Sequence, residues 1–87
     1  MNSRDIKKQI SGIISNVSNI KVHEEDYDTH LFSPKIDLKP RDLAYVFMEV
    51  EETFKISIPE RSIIEDGFTT VNKIFTIITD VLYAEKR

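Results

Sequence analysis

Isoleucine and valine set the rhythm of the first segment: Ile6, Ile10, Ile13, Ile14, Val17 and Ile20 recur at three- and four-residue steps after Ser3, a residue type that caps helices. The spacing predicts an amphipathic helix over about residues 4–18, with Lys7, Lys8 and Gln9 on its opposite face. From Lys21 to Lys39 the period disappears among acids, two histidines and Ser33-Pro34, which predicts a long loop pinned to the core by Leu31, Phe32 and Ile36. Pro40, with its fixed φ and missing N–H, suits the first position of a second helix. There Leu43, Val46, Phe47, Val50 and Phe54 form an apolar stripe, with Tyr45 and Met48 at its margins, that ends at Lys55. Pro59 opens a short third helix through Ile63 and Ile64, and Gly67 supplies its stop. Thr69 or Thr70 then caps a last helix carrying Val71, Ile74, Phe75, Ile77, Ile78, Val81 and Leu82.

No strand alternation competes with this pattern. The many β-branched residues lower helix propensity by a few tenths of a kcal/mol each, but burial of each large side chain, worth about 1.5–3 kcal/mol, outweighs that. The expected fold class is all-α: a four-helix bundle with three longer helices, a short third helix and a long first loop.

Composition narrows the possible functions more than it changes the fold. A chain of 87 residues forms one domain, here residues 1–87, with one small core and no room for a deep enzymatic cleft. The absence of cysteine excludes disulfides, thiolate zinc sites and a cysteine nucleophile. The first residues are basic but hold no apolar run of signal-peptide length, and no stretch approaches the ~20 residues of a membrane span, so a cytoplasmic protein without membrane association is expected. The net charge of −3 is unevenly spread. Arg4, Lys7, Lys8 and Lys21 face a single acid, Asp5, before residue 24, whereas residues 42–66 carry seven acids against Lys55 and Arg61. No basic stripe exists to bind nucleic acid, and the acidic middle favours a basic protein partner instead.

The segment from Leu38 to Glu60 resembles the central helix of acyl carrier proteins. Glu51, Glu52, Thr53 and Phe54 match that family's Glu-Glu-x-Phe, and Ile58, Pro59 and Glu60 its Ile-Pro-Asp/Glu corner. Thr69, Thr70 and Val71 match the Thr-Thr-Val that begins its last helix, with two extra residues in between. The resemblance implies the acyl-carrier-like four-helix fold. It departs from the family at the Asp-Ser-Leu triplet, whose serine carries 4'-phosphopantetheine. Counting back without a gap from Phe54 places Phe32 and Ile36 on the loop's apolar anchors and Lys39, Pro40 and Arg41 on the triplet. A two-residue shift places Asp37 and Leu38 on Asp-Ser, again without a hydroxyl. It also looks like the divergent acyl carrier-related proteins found beside peptide-maturation enzymes.

The chemistry of that departure is specific. A serine at a helix start sits where free N–H groups and the positive end of the dipole favour a phosphodiester. Proline keeps the helix and removes the nucleophile. Ser33 is the nearest hydroxyl and the alternative attachment point, but Pro34 biases it toward an extended conformation, and a loop serine bonding its own backbone is the plainer reading. His23, Glu24, Glu25, Asp26, Asp28 and His30 have no closed metal-ligand spacing and read as a solvated acidic loop. No catalytic residue and no metal site is expected. Phe32, Phe47, Phe54, Phe68 and Phe75 fall on apolar positions and read as core.

With the apolar stripe turned inward, Asp42, Glu49 and Glu52, with Glu51 and Thr53 beside them, face solvent. In the family this helix docks basic patches of partner enzymes. The resemblance therefore implies a docking set of Lys39, Arg41, Asp42, Glu49, Glu52 and Glu60. The expectation is a monomeric, non-enzymatic, acyl-carrier-like domain without a cofactor that docks basic-surfaced enzymes of a biosynthetic, peptide-maturation type system. The alternatives are an active acyl or peptidyl carrier with its arm on a hydroxyl such as Ser33, and an unrelated helical adaptor or regulatory bundle.

Overall fold

Three long helices form where apolar residues recur at helical spacing. In a computed structural model, which describes residues 2–60, 63 and 67–85, α1 spans Ser3–Ser18, α2 Pro40–Phe54 and α3 Val71–Glu85, and a short 3-10 turn covers Glu24–Asp26. No strand occurs among the described residues. The short helix expected from Pro59 through Ile63 and Ile64 falls mostly on residues 61, 62 and 64–66, outside the described set.

Each helix end has a local cause. The first differs from the expected one: Asn2 caps α1, its side-chain oxygen accepting the Asp5 amide at 2.9 Å, and Ser3 is already helical. An amide oxygen caps as well as a hydroxyl, so the helix gains one residue. Asn19 closes α1 in the left-handed region, φ 63°, where its amide donates to the Ser15 carbonyl. Pro40 occupies the first turn of α2 as expected, with Lys39 as a cap residue that makes no side-chain hydrogen bond. Lys55 ends α2 at φ 54°, a strained conformation for a residue with a Cβ. Thr70 rather than Thr69 caps α3, its hydroxyl accepting the Lys73 amide at 3.0 Å. Gly67 takes the left-handed region, φ 76°, and donates its amide to the Ile63 carbonyl, while most of the short helix it was expected to stop lies outside the described residues.

α1 is the shared element, packing against both α2 and α3. Ile10 and Ile14 from α1, Val46 and Val50 from α2, and Val71, Ile74 and Ile78 from α3 are fully enclosed. Leu43, Phe47, Phe54, Phe75, Val81 and Leu82 pack against this centre while remaining half-buried.

The segment between α1 and α2 is irregular, as expected, but it is more deeply involved in the core than three anchors would make it. Val22, Tyr27, Leu31, Ile36 and Leu38 are all buried. Its backbone is tied on both sides. The Leu31 amide donates to the Thr69 carbonyl at 2.8 Å, the Leu38 amide to the Leu31 carbonyl at 2.9 Å, and the Asn72 amide to the Tyr27 carbonyl at 3.0 Å. The Ser11 hydroxyl donates to the Val22 carbonyl at 2.8 Å, and the Asn72 side chain to Asp28 at 2.6 Å. Phe32 is the exception among the expected anchors: it is 41% exposed.

Nor is the acidic loop uniformly solvated. Asp26 is buried, 8% exposed, with its Oδ1 2.8 Å from the Lys35 Nζ and 3.3 Å from the Thr29 hydroxyl. The Lys35 hydrogen bond holds the Asp26 carboxyl below its ordinary range against the opposing effect of burial, and Asp26 holds the Lys35 ammonium above its own. Burial, with Glu24 nearby, raises the Tyr27 phenol.

Candidate functional site

The exposed side of α2 is where charge and apolar surface meet. With Val46 and Val50 facing the core, helical spacing turns Arg41, Tyr45, Met48, Glu49 and Glu52 outward, and all five are exposed. Tyr45 is 53% and Met48 60% exposed, so these expected stripe margins belong to the outer face. Of the predicted docking residues, Lys39, Arg41, Glu49, Glu52 and Glu60 are exposed, and Asp42 is half-buried in the first turn, where a carboxylate suits the helix dipole. Lys39 pairs with Asp37 across 3.1 Å. Arg41, Asp42, Glu49, Glu52 and Glu60 form no ion pair with another described residue.

Glu51, expected to face solvent beside these residues, is half-buried instead. Its Oε2 accepts the Ile58 amide at 2.8 Å, holding the chain after α2 so that Ile56 and Ile58 reach the core. It is a structural carboxylate one residue from a solvated one, and Glu-Glu in the sequence carries no signal of that division.

At the start of α2 the helix shoulders an apolar cleft of about 320 Å³. Pro40, Leu43, Ala44 and Phe47 line it from the helix, and Phe32, Ile63 and Phe68 from the segments beside it. Phe47 and Phe68 meet edge to face, 5.5 Å between centroids at 70°. The Phe32 ring lies 5.6 Å from that of His30, whose Nδ1 accepts the Phe32 amide at 3.0 Å. Sequence reasoning missed the cleft because Phe32 lies where no period exists to say which way a side chain points, and Ala44 carries no signal of its own.

Neither register supplies a hydroxyl at the helix start. Lys39, Pro40 and Arg41 have none, and Leu38, the shifted candidate, is buried at 2% exposure. Ser33 is placed in the turn before α2, its carbonyl accepting the Ile36 and Asp37 amides. Its Oγ is shielded from solvent and has no hydrogen-bond partner, instead of bonding the backbone as expected of a loop serine. Among the described residues, no accessible hydroxyl thus stands at the N-terminus of α2 to form a phosphodiester.

The loop acids come no nearer to a metal centre. Glu24 faces Arg4 at 3.4 Å, Asp26 faces Lys35 and Asp28 faces Asn72, so the carboxylates are dispersed onto different partners. No group of three or more ligating side chains occurs among the described residues. Likewise, among those residues no helix is long and apolar enough to cross a membrane.

No protein-family model matches this chain, and comparisons with curated proteins and with solved structures return no match either.

Proposed function

We propose that this chain is a non-enzymatic, acyl-carrier-like domain that has no prosthetic-group site and serves as a docking partner for a basic-surfaced enzyme of a biosynthetic system, of the peptide-maturation type. The observation that carries the reading is Pro40 at the first turn of α2, which keeps the helix start while removing the nucleophile. The order of long helix, long loop and long helix, and the exposed Glu49 and Glu52 on the second helix, which pair with no described residue, support it. A carrier with its arm on Ser33 would require the shielded Oγ to turn outward before any transferase could reach it.

Two measurements test the reading. Incubation with coenzyme A and a broad-specificity phosphopantetheinyl transferase should leave the intact mass unchanged, and a gain equal to the arm would overturn the proposal. In a salt-controlled pull-down with a basic maturation enzyme, reversing Glu49 and Glu52 to Lys should weaken the complex. Unchanged affinity would remove the docking role.

A further inference from the structure

The apolar cleft and the acidic side chains of α2 form one continuous surface. Residues four apart on a helix are neighbours along one face. Met48 therefore stands one turn beyond Ala44 in the cleft wall, and Glu52 one turn beyond Met48. The exposed path runs from the cleft across a methionine to a carboxylate, with Tyr45 and Glu49 along its outer edge.

The cleft's own chemistry narrows its occupant. Its volume of about 320 Å³ is at the bottom of the range for small-molecule sites, and the described residues that line it are all apolar. A small ligand needs a few convergent polar groups to fix its orientation, and none of the described lining residues brings a polar side chain. A single bulky side chain needs only shape and desolvation, because the rest of its own protein sets its orientation. Methionine beside the cleft suits such an interface, since its flexible thioether adapts to different shapes.

We propose that the partner binds through a two-part determinant: one aromatic or leucine side chain inserted into the Phe32–Phe47–Phe68 cleft, and a Lys or Arg about 12 Å away that meets Glu52. Glu49 extends the acidic end of the same surface. The proposal rests on the docking reading and adds to it an apolar anchor, with charge supplying orientation and encounter rate.

The test pans a phage-displayed library of random dodecapeptides against the whole chain and measures the affinities of selected peptides for three variants. Ala44→Trp fills the cleft from an exposed position, Met48→Ala trims the bridge, and Glu49→Lys/Glu52→Lys reverses the charge; circular dichroism checks that each remains helical. Selected peptides should combine Phe, Trp or Leu with Lys or Arg. Their binding should fall about tenfold or more in Ala44→Trp and severalfold in both Met48→Ala and the charge reversal. Peptides that lose binding on charge reversal but ignore Ala44→Trp and Met48→Ala would sink the anchor and leave the docking reading standing. Peptides indifferent to all three variants, or no enrichment, would sink both. Self-association of the free protein that Ala44→Trp abolishes in sedimentation equilibrium would identify a second copy as the occupant and overturn the proposal.

Discussion

The loop between α1 and α2 and the helix α2 contrast in order of sequence and depth of packing. The loop has no periodicity, is crowded with acids, and looks like solvated connection, yet it sends Val22, Tyr27, Leu31, Ile36 and Leu38 inward and encloses a carboxylate. The helix is regular from end to end, yet of its apolar residues only Val46 and Val50 are buried outright, while Tyr45 and Met48 stand in solvent. In this bundle the irregular strap shares the core with the three long helices, contributing five of its enclosed apolar side chains. The helix, relieved of part of that task, is left with surface to spare. Structural demand and sequence regularity are separable here: of the exposed large apolar side chains of these two elements, Tyr45 and Met48 lie on the more regular one and Phe32 on the loop.

The strongest way to break this contrast is at Leu31. Truncation to Ala should cost about 2–5 kcal/mol in urea unfolding, because the side chain is fully enclosed and its backbone is tied to Thr69 and Leu38. A loss near zero would mean that the strap is dispensable. Next is the division within the Glu51-Glu52 pair. Glu51→Ala should cost about 1–2 kcal/mol by orphaning the Ile58 amide, whereas Glu52→Ala should stay within about 0.5 kcal/mol.

Asp26 sharpens the comparison through pH. A carboxyl held below its ordinary range binds its proton less readily in the folded state than in the unfolded one, so its contribution is present above the ordinary value of about 4 and is lost as pH falls through the folded value. Asp26→Asn should therefore lower stability at neutral pH and reduce the acid-induced loss seen in wild type. A titration of the unfolding midpoint between neutral and strongly acidic pH checks this, and an unchanged profile would mean that the Lys35 contact is not maintained in solution. The smallest effect belongs to Met48→Ala, expected within about 0.5 kcal/mol of wild type, since the side chain is 60% exposed. A larger loss would place Met48 in the core and remove it from the proposed surface.

Much of this was legible beforehand. The isoleucine steps of α1, the Pro40 start, the Lys55 end, the Gly67 turn and a threonine cap at 69 or 70 all follow from local chemistry, because each depends on residues within a turn of one another. The outward positions of Glu49 and Glu52 follow from the same spacing. What local chemistry did not reveal is which loop residues fold inward, since contacts such as Leu31 with Thr69 or Asp28 with Asn72 join positions about forty residues apart and leave no periodic trace.

By itself, then, the order of residues determined a helical pattern, the places of its long helices, and a second helix whose start lacks a hydroxyl, because hydrogen-bonding capacity and helical period are local properties. Tertiary structure alone decided that Phe32 would stand at a cleft while Leu31 is enclosed, that Asp26 would be buried against Lys35, that Ser33 would be shielded, and that Glu51 would serve the fold while Glu52 faces water. Those outcomes depend on which segments reach the same space, and that is settled only when the whole core closes.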